Sequence, residues 1–320
     1  MTTTAHFDRV TSELRAVEDV RPAIGAAPEA ALFVGSGDSL SSALLATAFG
    51  HLAASSGDLT WTGRVPAGVR TVVGISHSGT SGATVRALRL ATAAGLRTVA
   101  VTSNPDSPLA EAADEVQLVP NLGLEETVPC AGHLMLGLGV AAVCGVDTAG
   151  AAAELAALID AQREPVESAL AGSPAEAPSG ISVLSLPELR GAADFWMLKL
   201  IEATGVVVRT VPLEESGHVD YFLGPQPHLA LQLVGADGAE RFARLATALE
   251  STGQTPLAVT LAAPAARNDR AGALFELAGA VAGTVFAEAV AARWGRPPFR
   301  GGAVNMDASH IKLDGHPVTA

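Results

Sequence analysis

The stretch TVVGISHSGTSGATVRALRL, residues 71–90, decides how the chain folds. Residues 72–75 form a short apolar run that is typical of a buried β-strand. A hydroxyl-rich segment, residues 76–81, follows at once, and the apolar spacing beyond it predicts an amphipathic helix that Thr80 or Ser81 can cap. The pattern therefore predicts a strand, a polar turn and a helix N-terminus in direct succession.

Such a turn can bind an anion without lysine or arginine. The first backbone N–H groups of a helix have no partner within the helix and carry the positive end of its dipole, while serine and threonine hydroxyls add further donors. Phosphate is the first candidate ligand. The alternative is that the hydroxyls only cap a helix, as in many α/β proteins, and the turn alone leaves both interpretations open.

A second turn of similar composition precedes the first one. The apolar residues 31–34 lead into Gly35-Ser36-Gly37-Asp38-Ser39 and then into a helical segment, residues 40–49. In this order the two turns resemble the sugar isomerase (SIS) family, in which a Gly-x-Gly-x-Ser turn opens the domain and a Ser-x-Ser-Gly-x-Ser/Thr turn holds the phosphate of a phosphosugar. The residues that this resemblance assigns to substrate binding are Gly37, Ser39, Ser76, His77, Ser78 and Ser81.

Composition narrows the class of partner. The 320 residues carry 20 Lys and Arg against 33 Asp and Glu, and this net charge of −13 disfavours nucleic-acid or membrane surfaces and favours a small molecule. Only two cysteines occur, which fits a reducing, cytoplasmic setting, and no Cys/His spacing indicates a metal site. We expect no cofactor. Residues 1–30 lack the apolar core of a signal peptide, and no unbroken apolar run suffices for a membrane span.

The order of elements predicts two α/β domains. A lead-in helix over residues 3–24 precedes predicted strands at 31–34, 59–61, 72–75, 96–102 and 116–119 and helices at 131–144 and 151–170. After a linker at 172–180 the alternation repeats, with strands at 181–184, 206–211, 229–234 and 257–261 and helices at 187–203, 239–251 and 271–294. Such alternation requires parallel sheets covered by helices on both faces. With the resemblance, it predicts two tandem doubly wound, flavodoxin-like SIS domains, residues 1–172 and 180–320.

The resemblance also implies a catalytic glutamate. Lys199-Leu200-Ile201-Glu202 is similar to the Lys-Leu-Lys-Glu sequence in the isomerase domain of glucosamine-6-phosphate synthases. In that family the final glutamate moves a proton between sugar carbons 1 and 2, so Glu202 is the expected proton-transfer group. By itself, an acidic residue at this place is also typical of a solvated helix end.

Two more catalytic residues follow from the same resemblance. Residues 214–218 stand where the family has Gly-Glu-Leu-Lys-His-Gly-Pro, whose histidine assists ring opening from a neighbouring subunit. The match is His218, and His228 is the second candidate because additional residues precede Gly224-Pro225. Lys312 lies at a position comparable to that of a lysine in the C-terminal tail of the synthases, which closes over the sugar. A histidine in a loop and a lysine in a tail can also be merely exposed.

A further part of the pocket is implied at residues 124–130. The family carries a Glu, a Val and a Ser at this corner, which matches Glu125, Val128 and Cys130. The sequence departs from the usual Ser-Thr-Lys run here, since Ala131-Gly132 follows the cysteine. Cys130 as a nucleophile stays open, although a small pocket or core residue is the favoured interpretation.

Three functions are compatible with these residues. The first is an aldose–ketose isomerase acting on a sugar with a terminal anionic group, either a phosphate or a 6-sulfonate, through an enediol. The second is a deaminase or deglycase acting on an amino sugar or fructosamine 6-phosphate. The third is a non-catalytic sugar-phosphate sensor. The resemblance also implies a homodimer or a higher homo-oligomer with shared active sites.

Overall fold

The computed structural model describes residues 3–24 and 27–295, which form two compact units. Within the described residues, the first-sheet unit comprises residues 16–24, 27–123 and 131–152. The second-sheet unit comprises residues 3–15, 124–130 and 153–295. The division of the sequence into domains 1–172 and 180–320 stays a prediction.

Strands and helices alternate along the described chain. The strands are β1 (Ala31–Gly35), β2 (Leu52–Ser55), β3 (Thr71–Ile75), β4 (Arg97–Thr102), β5 (Glu115–Leu118), β6 (Gly180–Ser185), β7 (Val208–Pro212), β8 (His228–Val234) and β9 (Thr255–Thr260). The α-helices are α1 (Thr3–Ala16), α2 (Asp38–Leu44), α3 (Ser56–Thr62), α4 (Gly82–Ala93), α5 (Pro108–Glu111), α6 (Ala131–Val143), α7 (Ala151–Asp160), α8 (Arg163–Gly172), α9 (Arg190–Thr204), α10 (Ser216–Val219), α11 (Ala239–Ser251) and α12 (Asp269–Arg293). Short 3₁₀ helices span Leu45–Phe49, Pro187–Leu189, Leu213–Glu215 and Asp220–Leu223.

Each unit contains one parallel sheet. The first has the strand order β2-β1-β3-β4-β5 and the second the order β7-β6-β8-β9, so both place the first strand of the unit between its second and third. All neighbouring strands pair in parallel. The predicted α/β fold with two parallel, flavodoxin-like sheets is confirmed.

Helices cover both faces of the first sheet. On one face α4 lies so close to β3 that a Cβ atom on Gly74 would meet the side chain of Leu88 at 3.0 Å. Val101 in β4 pairs with the residue after Gly74, so it points to the opposite face. There α6 approaches closely, since a Cβ on Gly139 would lie 2.6 Å from Val119 and 2.7 Å from Val101. Burial on both faces explains why residues 72–75 of β3 form an unbroken apolar run.

Residues 59–61 were predicted as a strand, and this prediction is wrong. They lie in α3, because the Ser55 hydroxyl accepts a hydrogen bond from the Gly57 N–H and caps the helix, and Gly63 ends it in a left-handed conformation with φ of 63°. The strand at this position is β2, four residues earlier in the chain. Local capping therefore outweighs the strand propensity of Leu59 and Trp61 within α3.

Two predicted helices also have different bounds. Residues 151–170 form α7 and α8 instead of one helix, because Pro165 has no N–H to donate and fits only the first turn of a helix. The lead-in helix ends at Ala16, since Asp19 and Val20 bind other backbone. The Asp19 carboxylate accepts the Gly150 N–H at 2.8 Å, and a threonine hydroxyl donates to the Val20 carbonyl.

One described helix, α12, is long and apolar enough to cross a membrane by length and composition alone. However, 89% of its most apolar window is buried inside the protein. It packs against α9, where the Trp196 indole N–H donates to the Gly279 carbonyl at 2.7 Å. This burial is typical of a core helix.

The close approach of α6 to the first sheet gives a stability prediction. Gly139→Ala should lower the free energy of unfolding by about 1–3 kcal/mol, because the new methyl group overlaps two valine side chains. Gly272→Ala is the matched control, since that exposed helical glycine has no neighbour within 4 Å and alanine should add about 0.5–1 kcal/mol. Urea unfolding measures both. Equal urea midpoints for the two variants would contradict the close approach of α6 to the sheet at Gly139.

Candidate functional site

The turn at residues 76–81 follows β3 directly at the carboxyl end of the first sheet. Its shape depends on Gly79, which has φ of 68° and whose carbonyl accepts the Leu109 N–H at 3.1 Å. A Cβ at this position would lie 2.1 Å from the Ser107 hydroxyl. No other residue combines this left-handed conformation with so close an approach, so glycine is required.

The His77 carbonyl anchors the turn to the next strand. It accepts hydrogen bonds from the Ser103 N–H at 3.1 Å, the Ser103 hydroxyl at 2.8 Å and the Thr102 hydroxyl at 3.1 Å. Because one carbonyl oxygen is held by three donors, the backbone of the turn is fixed before any ligand binds. Such preorganisation lowers the ordering cost of binding.

The hydroxyls of the turn form two hydrogen-bonded groups. The Ser78 and Thr80 hydroxyls lie 2.8 Å apart, and Ser81, the N-cap of α4, accepts from the Thr84 hydroxyl at 3.1 Å. Thr84 is in turn 2.8 Å from the Ser56 hydroxyl. Since Ser81 accepts within this chain, its own O–H can donate outward. Together with the first N–H groups of α4, these groups form an arrangement suited to an anion.

The other predicted turn follows the neighbouring strand, β1. Gly37 is exposed with φ of 58°, its carbonyl accepts the Leu40 N–H at 2.8 Å, and Ser39 is half-buried. Because β1 and β3 are adjacent and parallel, the two turns lie at the same edge of the sheet. The structure thus brings the predicted anion-binding residues to one sheet edge.

The His77 side chain packs beneath this edge. It hydrogen bonds Asn121, and a Cβ on Gly132 would meet its ring at 3.3 Å. Burial lowers the pKa of His77 below its ordinary value, and the hydrogen bond to Asn121 opposes this shift in part. The ring is therefore neutral near pH 7, so it can offer a ligand a hydrogen bond but no positive charge.

In the second-sheet unit, Glu202 is held by a buried lysine. Lys199 is completely buried, and its ammonium donates to both carboxylate oxygens of Glu202 at 3.0 Å. The same ammonium lies 4.8 Å from the centre of the Phe195 ring. The Glu202 side chain keeps 36% of its surface exposed. A carboxylate that is fixed on one side and open on the other is more than a solvated helix end.

The segment 124–130 turns one glutamate inward, and it is not the one that the resemblance suggests. Glu125 is exposed, whereas Glu126 accepts the Cys130 N–H at 2.9 Å and its thiol at 3.1 Å. Val128 and Cys130 are buried. Burial, with the charge and hydrogen bond of Glu126, raises the pKa of the Cys130 thiol well above its ordinary value, and Lys199 offsets this only in part. As described, the cysteine is a protonated thiol and a poor nucleophile.

The two candidate histidines differ in their surroundings. His218 is exposed on α10. His228 is buried at the start of β8, with Nε2 2.9 Å from the Ser182 hydroxyl, which itself donates to the buried carboxylate of Asp220 at 2.5 Å. Burial lowers the pKa of His228, with Asp220 opposing the shift. His228 thus belongs to a buried polar network, which favours His218 for contact with a ligand. Lys312 lies outside the described residues.

Sequence reasoning did not assign several residues that shape these arrangements. Ser103 and Ser107 support the turn, Asn121 holds His77, and Lys199 holds Glu202. Lys199 carried a signal in the sequence, because it is one of two lysines in the chain and lies one helical turn before Glu202. The others are polar residues in loops whose partners are distant in sequence.

Comparison with known proteins agrees with this architecture. Residues 70–121, which include β3, the turn and α4, match the family model of the SIS domain. The first-sheet unit therefore contains a segment that is similar to the SIS domain. A search of curated proteins finds no match.

Solved structures share the fold over nearly the whole chain. A candidate phosphosugar isomerase from Clostridium difficile 630 superposes with a TM-score of 0.74 at 16% identity, covering 100% of both chains. The C-terminal domain of glucosamine-fructose-6-phosphate aminotransferase from Francisella tularensis gives 0.72 at 13% identity, covering 92% of this chain and 94% of that one. Glucosamine-6-phosphate deaminase from Thermotoga maritima gives 0.69 at 18% identity, with 94% and 96% covered. At these identities the likeness shows the fold alone.

The N-terminus of α9, the helix that carries Glu202, is capped by a second carboxylate. Glu276 is buried and accepts the Gly191 N–H at 2.6 Å. Burial raises its pKa to about 8, and hydrogen bonds from Gly191 and Ala192 oppose the shift. In the folded protein Glu276 therefore holds its proton up to about pH 8, whereas an unfolded chain releases it near the ordinary value of 4.5.

This shift gives a pH dependence with a definite sign. Between about pH 5 and pH 8 the folded state binds the extra proton, so the contribution of Glu276 to the free energy of unfolding falls as pH rises. Relative to the parent protein, Glu276→Gln should gain on the order of a few kcal/mol over this window. Urea unfolding at several pH values measures the difference, with the exposed Glu250→Gln as control. Parallel curves for parent and Glu276→Gln would show that Glu276 is already ionised at the helix N-terminus.

Proposed function

We propose that this protein is an aldose–ketose isomerase that acts on a sugar with a terminal anionic group. The observation that carries the proposal is the Lys199–Glu202 pair, in which a buried ammonium fixes a carboxylate that is still 36% exposed. Proton transfer between adjacent carbons needs a positioned carboxylate within reach of substrate. The SIS-domain match at residues 70–121 and the anion-suited turn support a phosphosugar or a 6-sulfonate analogue as substrate.

In this proposal each group has one task. The turn binds the terminal anion through N–H groups and hydroxyls. Glu202 removes the proton from the carbon beside the carbonyl and returns it to the neighbouring carbon, passing through an enediol. His218 opens the sugar ring and steadies the developing oxyanion, and Lys312 closes over the sugar to exclude water. The roles of His218 and Lys312 rest on the family resemblance.

A second candidate is cleavage of an amino group or amino acid from a 6-phosphosugar. The structural likeness to glucosamine-6-phosphate deaminase favours it, and the same carboxylate chemistry would serve through an enolamine. Hexose 6-phosphates, their 6-sulfonate analogues and fructosamine 6-phosphates separate the candidates. An isomerase interconverts aldose and ketose, whereas a deaminase or deglycase releases ammonia or an amino acid.

We further propose a cytoplasmic homodimer or higher homo-oligomer in which His218 serves a neighbouring subunit. Two aromatic residues that follow His218 are exposed, Tyr221 at 51% and Phe222 at 75%. Exposed aromatic side chains beside a functional residue are typical of an interface. The resemblance to the SIS family implies the same arrangement, in which active sites are shared between subunits.

Ser78→Asp tests the anion site. It should abolish binding of a hexose 6-phosphate, because a carboxylate on the exposed turn repels the ligand's charge. Thr92→Asp, near the other end of the same helix, makes the same change in net charge and should bind normally. Isothermal titration calorimetry measures the affinity. Retained affinity in Ser78→Asp would place the anion elsewhere.

Glu202→Gln tests the proton transfer. It should lower turnover by at least ~10²-fold with substrate affinity little changed, because the side chain keeps its shape and loses its base. In D₂O the parent protein should incorporate deuterium at carbon 1 or carbon 2, and the variant should not.

Two further variants serve as controls for this test. Glu250→Gln alters an equally C-terminal helical glutamate and should retain the native exchange rate. Glu202→Asp keeps the charge partner of Lys199, so it should fold normally and still lose activity through displacement of the carboxylate. Native deuterium exchange in Glu202→Gln would remove Glu202 from the mechanism.

A further inference from the structure

Three side chains of the kinds that bind metals converge in the second-sheet unit. One ring nitrogen of His6 in α1, one carboxylate oxygen of Glu126 and the sulfur of Cys130 all lie within 4.8 Å of one another. His6 and Cys130 are each 1% exposed. We propose that this set, here called the His-Glu-Cys cluster, binds a zinc ion, independently of the function proposed above.

The imidazole of His6 is arranged as a metal ligand. Its Nδ1 lies 3.0 Å from a carboxylate oxygen of Glu288, and Nε2 is buried with no hydrogen-bond partner in the described part of the chain. A carboxylate that accepts Nδ1–H fixes the tautomer and leaves the Nε2 lone pair as an acceptor. Buried polar atoms normally find a partner, so an unpaired Nε2 on a ring that lies beside a thiol and a carboxylate points to a bound cation.

The donor set selects the metal. Nitrogen, oxygen and thiolate ligands together suit Zn²⁺, whose bonds of about 2.0–2.3 Å place tetrahedral ligand atoms roughly 3.3–3.8 Å apart. The cluster lies within a small side-chain adjustment of that spacing. On binding, the Cys130 thiol releases its proton to solvent and its sulfur forms a bond to zinc, while Glu126 exchanges the S–H donor for the ion.

The charges are also compatible with zinc. A Cys130 thiolate and the Glu126 carboxylate balance the two positive charges of the ion. The nearby ammonium of Lys199 is paired with both oxygens of Glu202 at 3.0 Å, so its charge is compensated. Three protein ligands leave a fourth position for water or another small ligand.

Zinc and cobalt binding test the cluster in the intact protein. After treatment with a chelator and dialysis, the protein should bind one Zn²⁺ per chain and gain thermal stability as zinc is added. With Co²⁺ as a probe it should show thiolate-to-cobalt charge transfer and the visible bands of a tetrahedral site. Cys130→Ser should lose the charge-transfer band, and His6→Asn should lose the visible bands of the tetrahedral site.

Matched variants distinguish this cluster from adventitious binding. Cys144→Ser removes the other cysteine and should leave the spectrum unchanged. Glu288→Gln keeps all three ligands and should weaken zinc affinity by about 10–100-fold through the loss of the carboxylate behind His6. The proposal fails if the parent protein gives no charge-transfer band. It also fails if Cys144→Ser abolishes the band, or if Glu288→Gln binds zinc as tightly as the parent.

Discussion

The parallel pairing of β1, β3 and β4 is the constraint on which the functional part of the first-sheet unit depends. Parallel strands of this kind bury both faces under helices, so residues 72–75 of β3 carry no polar side chain. Polar groups collect instead where the strands end. The turn after β3 is held there by carbonyl and hydroxyl contacts from β4, and Gly79 allows the approach of Ser107. Backbone pairing therefore places the hydroxyls at one edge.

Buried charge has a comparable role in the second-sheet unit. A fully buried ammonium is costly unless it is paired, so Lys199 requires the carboxylate of Glu202. At the other end of α9, Glu276 is buried with no cationic partner among residues 3–24 and 27–295, which favours its neutral form. Two glutamates associated with one helix thus differ in charge because their surroundings differ. Of the two, only Glu202 is both ionically paired and accessible to solvent.

In the segment 124–130, two consecutive glutamates have different surroundings. Family resemblance favours Glu125, yet that side chain is exposed while Glu126 contacts Cys130. The cysteine, buried beside this carboxylate, is unsuited to nucleophilic chemistry unless its proton is removed. A zinc ion bound by the His-Glu-Cys cluster would remove that proton and would also satisfy His6.

The sequence by itself determined the α/β fold and the polar turn after β3, because alternating apolar strands and amphipathic helices, with hydroxyls at a strand end, are local patterns. It did not determine that residues 59–61 belong to α3, where a serine cap outweighs their strand propensity. Nor could it find Asn121 beside His77, the inward direction of Glu126, or the meeting of His6 with Cys130. These depend on contacts between residues far apart in the chain, and only tertiary packing brings such side chains together and buries them.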